Sequence, residues 1–530
     1  MLVLSIYLMA MISSGLSLRF LRHAFLLNFL VILFIGIVLY HVCEPFLFRR
    51  ILVVWLVPFQ AINTLLYGWI PSLWEQPVQD KRYHVRLPIS GGTLHLKNIR
   101  RGASIIGSAG SGKTESIVYN LLQHFKKHQF CGVIHDYKHF EITEMVYPVF
   151  KDPGLPFHIV SFDDIHAKVN PIAPRYLEDE ESVNEVSRVL LENLLEQRET
   201  HVSGSSKFFN DAVEGLLGGL IWKLKTVYPE YCTLPHLMAT FQYLETGELI
   251  DFLSDDHTSR AMANAFISGQ GSERQTAGVL STLANALKKI STPRIFMTLS
   301  ADEVPLNINN ILNPAVISIV NNPKYETAYA PVIATIIHTI IKQMSVRDQR
   351  PSFILMEEAP TIRLLNMHRI PATLRSYDIS TVYVLQDRIQ NDLMYGEKAS
   401  RAILSNLSYQ FFGKVNDPDT AKYYERFFEI IKRPTKSISK SHTWNFDARI
   451  TTGEKEVSKI RSDVFFRLKL GEFITFADGK DRKVQFKTPE IKRELPSPTH
   501  PYNDAEIQAN FERIHYEVRS IFQQKTMDKK

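Results

Sequence analysis

Eight consecutive residues, Gly107-Ser108-Ala109-Gly110-Ser111-Gly112-Lys113-Thr114, constrain this chain of 530 residues more than any other feature. They match the pattern GxxxxGK[ST] in full, and the flanks fit it. The apolar run Ala103–Ile106 leads in as a strand would, and Ile117, Leu121, Leu122 and Phe125 follow at helical spacing. Glycines here let backbone N–H groups face phosphate oxygens, and the N-terminus of the following helix adds the positive end of its dipole. Lys113 is then placed to neutralise the β- and γ-phosphate oxygens of ATP, and the Thr114 hydroxyl to ligate Mg²⁺.

Such a loop needs an acidic partner at the end of a nearby strand. Phe353-Ile354-Leu355-Met356 followed by Glu357-Glu358 supplies one. Glu357 is suited to hold the metal through water, and Glu358 to polarise an attacking water as general base. The competing reading makes the pair helix-capping acids beside Pro360. Two further polar residues have candidate roles. Gln386 ends the apolar run Thr381–Leu385, where an amide can sense the γ-phosphate or orient water. Arg375 opens the segment leading to that run and has the chemistry of an arginine finger presented to a neighbouring subunit. For each of these two, a surface polar residue is the plainer alternative.

The surrounding pattern gives the fold class. Ala103–Ile106, Cys131–Ile134, His158–Phe162, Ala315–Val320, Phe353–Met356 and Thr381–Leu385 are short runs apolar on both faces, as in the central strands of a parallel sheet covered by helices. A long helical stretch, roughly Glu178–Leu299, separates the third run from the fourth. That order predicts an α/β domain with an all-α domain inserted into it.

Ahead of this lie three stretches without charged side chains, Met1–Leu18, Ala24–Cys43 and Ile51–Trp74. A helix of about 20 apolar residues crosses a bilayer core, and the second and third meet that length. Met1–Leu18 is borderline and lacks the basic start of a cleaved signal peptide. Two spans with the N-terminus inside and three with it outside score alike on flanking Arg and Lys. Both put the long C-terminal part in the cytoplasm. The net charge is +6, of which Met1–Glu75 carries +2. A remainder so close to neutral is no histone-like DNA coat, and polyanion contacts must come from local patches. Ile431–Lys440, with Lys432, Arg433, Lys436 and Lys440, reads as a loop suited to phosphate contacts or as a merely solvated one. Cys43, Cys131 and Cys232 lie too far apart for a CxxC site, and the 18 histidines include no HExxH pair.

With these residues in hand, the chain resembles the type IV secretion coupling proteins, the TraG/TraD-type conjugative ATPases, from its N-terminal stretches to about Pro489. The resemblance rests on an ordered series: the Gly107–Thr114 loop, His135-Asp136-Tyr137-Lys138, Asn170-Pro171-Ile172, Phe208–Ala212 and Ser272-Glu273-Arg274. It continues through Glu357-Glu358-Ala359-Pro360, Arg375, Gln386, Asn406 and Asn416-Asp417-Pro418-Asp419-Thr420-Ala421. Glu357 departs from the family's Asp, and Asp378 stands where a Gly commonly follows Arg-x-Tyr. The resemblance implies a RecA-like P-loop ATPase domain (83–175 and 300–490) with a parallel sheet. To this it adds an inserted all-α domain (176–299), an N-terminal transmembrane anchor (1–75, two or three helices) and a C-terminal helical tail (491–530). It further implies a homo-hexamer at the bacterial inner membrane, in which Arg375 completes the neighbour's site. The implied partners are single- or double-stranded DNA, a relaxase or effector proteins, and the components of the secretion channel. An FtsK/HerA-like double-stranded DNA pump, a protein-export ATPase and an ATP-assembled docking receptor with little turnover stand as alternatives. No role for Asp136 or Lys138 follows from the sequence.

Overall fold

Runs of residues that are apolar on both faces become the strands at the centre of the molecule. The computed structural model describes residues 80–151, 154–195, 204–440 and 448–528. The expected membrane stretches within 1–75 lie outside the described residues, among which no helix is long and apolar enough to cross a membrane. The strands are β1 (Val85–Ile89), β2 (Gly92–Leu96), β3 (Ala103–Ile106), β4 (Cys131–Asp136), β5 (Phe157–Val160), β6 (Val316–Val320) and β7 (Ser352–Met356). Then come β8 (Ile379–Leu385), β9 (Tyr409–Phe412), β10 (Ile430–Lys440), β11 (Ala448–Ser458), β12 (Glu472–Ala477) and β13 (Lys480–Gln485).

Nine of these form one sheet in the order β13-β12-β9-β3-β8-β7-β4-β6-β5. From β9 to β5 all pairings are parallel, while β12 and β13 run antiparallel at one edge. Every residue of β3, β4, β6, β7, β8 and β9 is buried. Helices cover both faces, which is why these strands read as unbroken apolar runs. The decisive feature is that β8 lies between β3 and β7. It brings the C-terminal ends of three strands side by side, where loops of an open α/β sheet gather ligands.

Between β5 and β6 the described residues contain helices and no strand. The first, Glu180–Leu194, starts with a reciprocal capping box between Asp179 and Ser182. Its Val183, Val186, Leu190 and Leu194 join one core with Leu217 and Leu220 of helix Gly204–Val227 and Ile333, Ile337 and Ile340 of helix Glu326–Met344. The last of these follows β6 directly, so the helical segment is keyed to the sheet's own covering layer.

After β13 the chain crosses the helices beside the Gly107–Thr114 loop. Thr488 Oγ1 lies 3.3 Å from Ser116 Oγ, Arg493 Nη2 3.4 Å from Glu115 Oε1, and the Glu494 N–H donates to Glu144 O at 2.9 Å. Helix Asp504–Asp528 then packs on the helical segment. Phe511 and Phe296 have ring centroids 4.6 Å apart, and His236 Nε2 lies 3.0 Å from Glu517 Oε2.

One expectation is corrected. The basic stretch Ile431–Lys440 is not a loop: it is β10, paired with β11 from Ile430↔Ser458 to Lys440↔Ala448. Ile430, Ile431, Thr435 and Ile438 suit a strand, and its partner β11 begins only eight residues after Lys440, but both strands are too rich in charged and polar residues to show the apolar alternation of a hairpin.

Candidate active site

The loop Gly107–Thr114 leaves the end of β3 and is walled by the segments after β9 and before β12. Ser108 N–H donates to Lys414 O at 2.7 Å, and Gly471 N–H donates to Ser111 O at 3.0 Å. Gly110 and Gly112 have φ of 72° and 87°, the left-handed region in which glycine carries no steric cost. A Cβ on Gly110 would meet nothing within 4 Å, so the backbone there is open to a ligand's close approach. The N–H groups of Ala109, Gly110 and Gly112 make no hydrogen bond among the described residues, and Ser111 Oγ is buried without a partner. These unspent donors form a cradle that fits phosphate oxygens. Lys113 is buried, and its Nζ donates to Gly107 O at 2.5 Å and to Ser108 O at 3.3 Å. Burial lowers its pKa, and the charge of Glu358 across the cleft works against that shift. Thr114 opens a π-helical turn, Thr114–Val118, that runs into helix Tyr119–Lys127.

The paired acids stand at the end of β7, one strand beyond β8. Glu357 and Glu358 are 2% and 3% exposed, which is rare for carboxylates without a function or a partner. The Glu357 N–H donates to His135 O at 3.2 Å, and His135 Nδ1 lies 2.9 Å from Glu357 O. Burial pushes the Glu357 carboxyl up to about 8, and Asp136 pushes it the same way while Lys138 opposes. Glu357 Oε2 is buried without a partner, so the carboxylate keeps a lone pair for a cation. Gln386, at the end of β8, donates from Nε2 to Glu358 Oε1 at 3.0 Å. Loop, acids and amide therefore share one cleft, as their strand-end positions in the sequence predict.

Arg375 is not in it. It opens a 3₁₀ turn, Arg375–Tyr377, at the start of β8, whereas Gln386 follows the end of that strand. Seven residues of strand separate the two by about 20 Å. The Arg375 side chain is exposed and makes no hydrogen bond or ion pair among the described residues.

The structure adds residues without an assigned role. Asp136, fully buried at the end of β4, accepts from Thr143 N–H at 2.7 Å and Thr143 Oγ1 at 2.6 Å, and burial raises its pKa. Lys138 Nζ lies 3.6 Å from Glu357 Oε1 and 3.8 Å from Glu358 Oε1. The signal was available: Asp136 ends an apolar strand in the same way as Glu357.

A family model described as type IV secretory system conjugative DNA transfer matches residues 73–463. The chain belongs to this conjugative DNA transfer family. Comparison with curated proteins gives no match. Among solved structures, the bacterial conjugative coupling protein TrwBdeltaN70 in an unbound form aligns with TM-score 0.61 at 13% identity, over 78% of this chain and 90% of that one. TrwB in complex with the non-hydrolysable ATP analogue ADPNP aligns with TM-score 0.59 at 13% identity, over 75% and 88%. TrwB in complex with ADP and Mg²⁺ gives 0.61 at 13% identity, over 81% and 94%. At this identity the likeness establishes a shared fold, α/β with a large, mostly parallel sheet.

Several residues of the conjugative DNA transfer series have structural duties here. Asp417 caps helix Pro418–Glu425 by accepting from Thr420 N–H at 2.6 Å, with Pro418 at the first helical position. Asn170 Nδ2 donates to Cys232 O at 2.9 Å, and Asn406 Nδ2 to His368 O at 2.6 Å.

Proposed function

We propose that this protein is a membrane-anchored coupling ATPase that recruits a relaxase–DNA complex, or an effector protein, to a type IV secretion channel and moves it by ATP hydrolysis. The observation that carries the reading is the convergence of Lys113, Glu358 and Gln386 at three adjacent strand ends, in a chain of the conjugative DNA transfer family. ATP binds with its phosphates on the N–H groups of Gly107–Thr114. Lys113 neutralises the β- and γ-oxygens, Glu358 takes a proton from the attacking water, and Gln386 orients that carboxylate. Thr114 and Glu357 would hold Mg²⁺, which would supply neutralisation of phosphate charge. Residues 1–75 anchor the chain in the inner membrane, 176–299 form an all-α domain inserted into the RecA-like one (83–175 and 300–490), and 491–530 form a helical tail. Subunits assemble as a hexamer.

Two substitutions test the catalytic part. Lys113→Ala is expected to weaken ATP binding, measured with a fluorescent nucleotide. Glu358→Gln is expected to bind ATP as the parent does and hydrolyse it roughly 10²–10⁴-fold more slowly. Undiminished hydrolysis in Glu358→Gln would show the carboxylate to be structural. Binding without hydrolysis in the parent itself would leave a docking receptor as the reading.

A further inference from the structure

Lys138 faces more negative charge than any pairwise account of it needs. Its Nζ lies 3.4 Å from Glu141 Oε2, 3.6 Å from Glu357 Oε1 and 3.8 Å from Glu358 Oε1. A charge-assisted hydrogen bond to a carboxylate closes to about 2.7–2.9 Å, so the ammonium sits among three acids and is committed to none. Asp136 stands behind them, held by Thr143. Lys113 is tied to Gly107 O and Ser108 O instead.

The placement comes from the backbone. Lys138 follows β4, and the next two residues, His139 and Phe140, have φ of 46° and 71°. That left-handed pair reverses the chain so that Glu141 opens helix Glu141–Phe150 and Lys138 reaches across to the end of β7. Exposure differs sharply along this reach. The Lys138 side chain is 39% exposed, while those of Glu357 and Glu358 are 2% and 4%. Fixed anions therefore lie at the base of the cleft and a movable cation at its mouth.

We propose that Lys138 is a positioning residue that stands in for the divalent cation, neutralising Glu357 and Glu358 and then yielding Glu357 to the metal when nucleotide brings it. The inference rests on the reading of Glu357 as the metal-holding acid. Two adjacent buried carboxylates repel each other unless a cation lies beside them, and an ammonium and a metal ion compete for that place. A lysine suits an exchangeable partner because its ammonium is a point charge on a flexible stem, whereas the planar fork of an arginine locks onto carboxylates. Glu357 Oε2, buried and unpartnered, offers a metal an oxygen that Lys138 does not occupy.

The test is Mn²⁺ binding to the full chain without nucleotide, followed by the electron paramagnetic resonance signal of free Mn²⁺. Lys138→Met keeps the apolar stem and removes the charge, so Mn²⁺ is expected to bind roughly tenfold tighter or more. Lys138→Arg is expected to bind it no tighter than the parent. Adding Glu357→Gln to Lys138→Met should abolish the gain. A merely structural role predicts weaker binding in Lys138→Met, and unchanged or weaker binding overturns the proposal. Lys138→Gln serves in its place if Lys138→Met fails to fold. Because no nucleotide is present, the result stands whether or not the parent hydrolyses ATP, so the two readings fail separately.

Discussion

Glu358 adopts a left-handed backbone conformation, φ 43° and ψ 51°, which a glutamate holds only when its surroundings enforce it. Thr361 supplies the enforcement, donating to Glu358 O from its N–H at 2.9 Å and from Oγ1 at 2.7 Å. The side chain is thereby turned to Gln386, whose amide can both donate to the carboxylate and face a ligand. Replacing that amide by a carboxylate should therefore be worse than removing it. Gln386→Glu sets two acids about 3 Å apart, and the pair resists full ionisation. The pH at which ATP hydrolysis reaches half its maximum is expected to rise by about a unit or more, while Gln386→Ala should lower kcat without that shift. A second prediction concerns His135, fully buried behind Glu357, where burial holds its pKa down at about 4. The unfolded chain's histidine titrates near 6.5 and takes its proton first as pH falls. The stability linked to His135 is thus complete above about pH 6.5 and lost on the way down to about pH 4, to the extent of about 3 kcal/mol. Glu357, with its pKa raised, contributes in the opposite sense over a higher window, so the comparison must be between variants. Urea unfolding of His135→Gln should show a pH slope between about 6 and 4.5 shallower by up to about 1.4 kcal/mol per unit.

At the scale of elements, residues that announce themselves locally were legible and those that depend on a distant partner were not. β3, β4, β6 and β7 are apolar on both faces and bounded by turn residues, and the functional side chains at their ends follow from that. The hairpin of β12 and β13 was equally available: Asp478-Gly479, with φ of 50° and 76°, is a two-residue turn between alternating strands. The same conformation explains Asp378 in a place where glycine is usual, since its φ is 59° and its carboxylate is paired with Arg100 at 2.5 Å. By contrast, Lys138 comes within 4 Å of the paired acids only because β4 pairs with β7, and no local pattern states that pairing. Nor does the sequence say what the apolar face of helix Asp504–Asp528 covers. In the structure Ile507, Ile514, Val518 and Phe522 are buried, the last with Phe252 at 5.3 Å between ring centroids. The helix is therefore part of the core. Ile514→Ala is expected to lower unfolding stability by about 2–4 kcal/mol, read by urea denaturation, with nucleotide binding at the Gly107–Thr114 loop retained.

At the scale of the whole molecule, the position of Arg375 decides between two ways of completing the site. Within one chain the residue lies at the opposite end of β8 from Gln386, exposed and without an ionic partner among the described residues. No rotamer of a single side chain spans a separation of about 20 Å. If Arg375 meets a γ-phosphoryl group, it must be a neighbour's, and assembly would then be a condition of turnover. An arginine in that role adds positive charge where the transition state develops negative charge, worth roughly 10³-fold or more in rate. The decisive experiment mixes two inactive variants, Lys113→Ala and Arg375→Ala, each also assayed alone. Acting in trans, some mixed interfaces pair an intact loop lysine with an intact arginine, and part of the ATPase activity returns. Acting within its own subunit, Arg375 leaves every chain in the mixture lacking one essential cation, and nothing returns. A flat response with mixed rings verified by crosslinking would reject the trans role. Full activity in Arg375→Ala alone would reject any part in catalysis and make the residue an ordinary exposed arginine at the start of a strand.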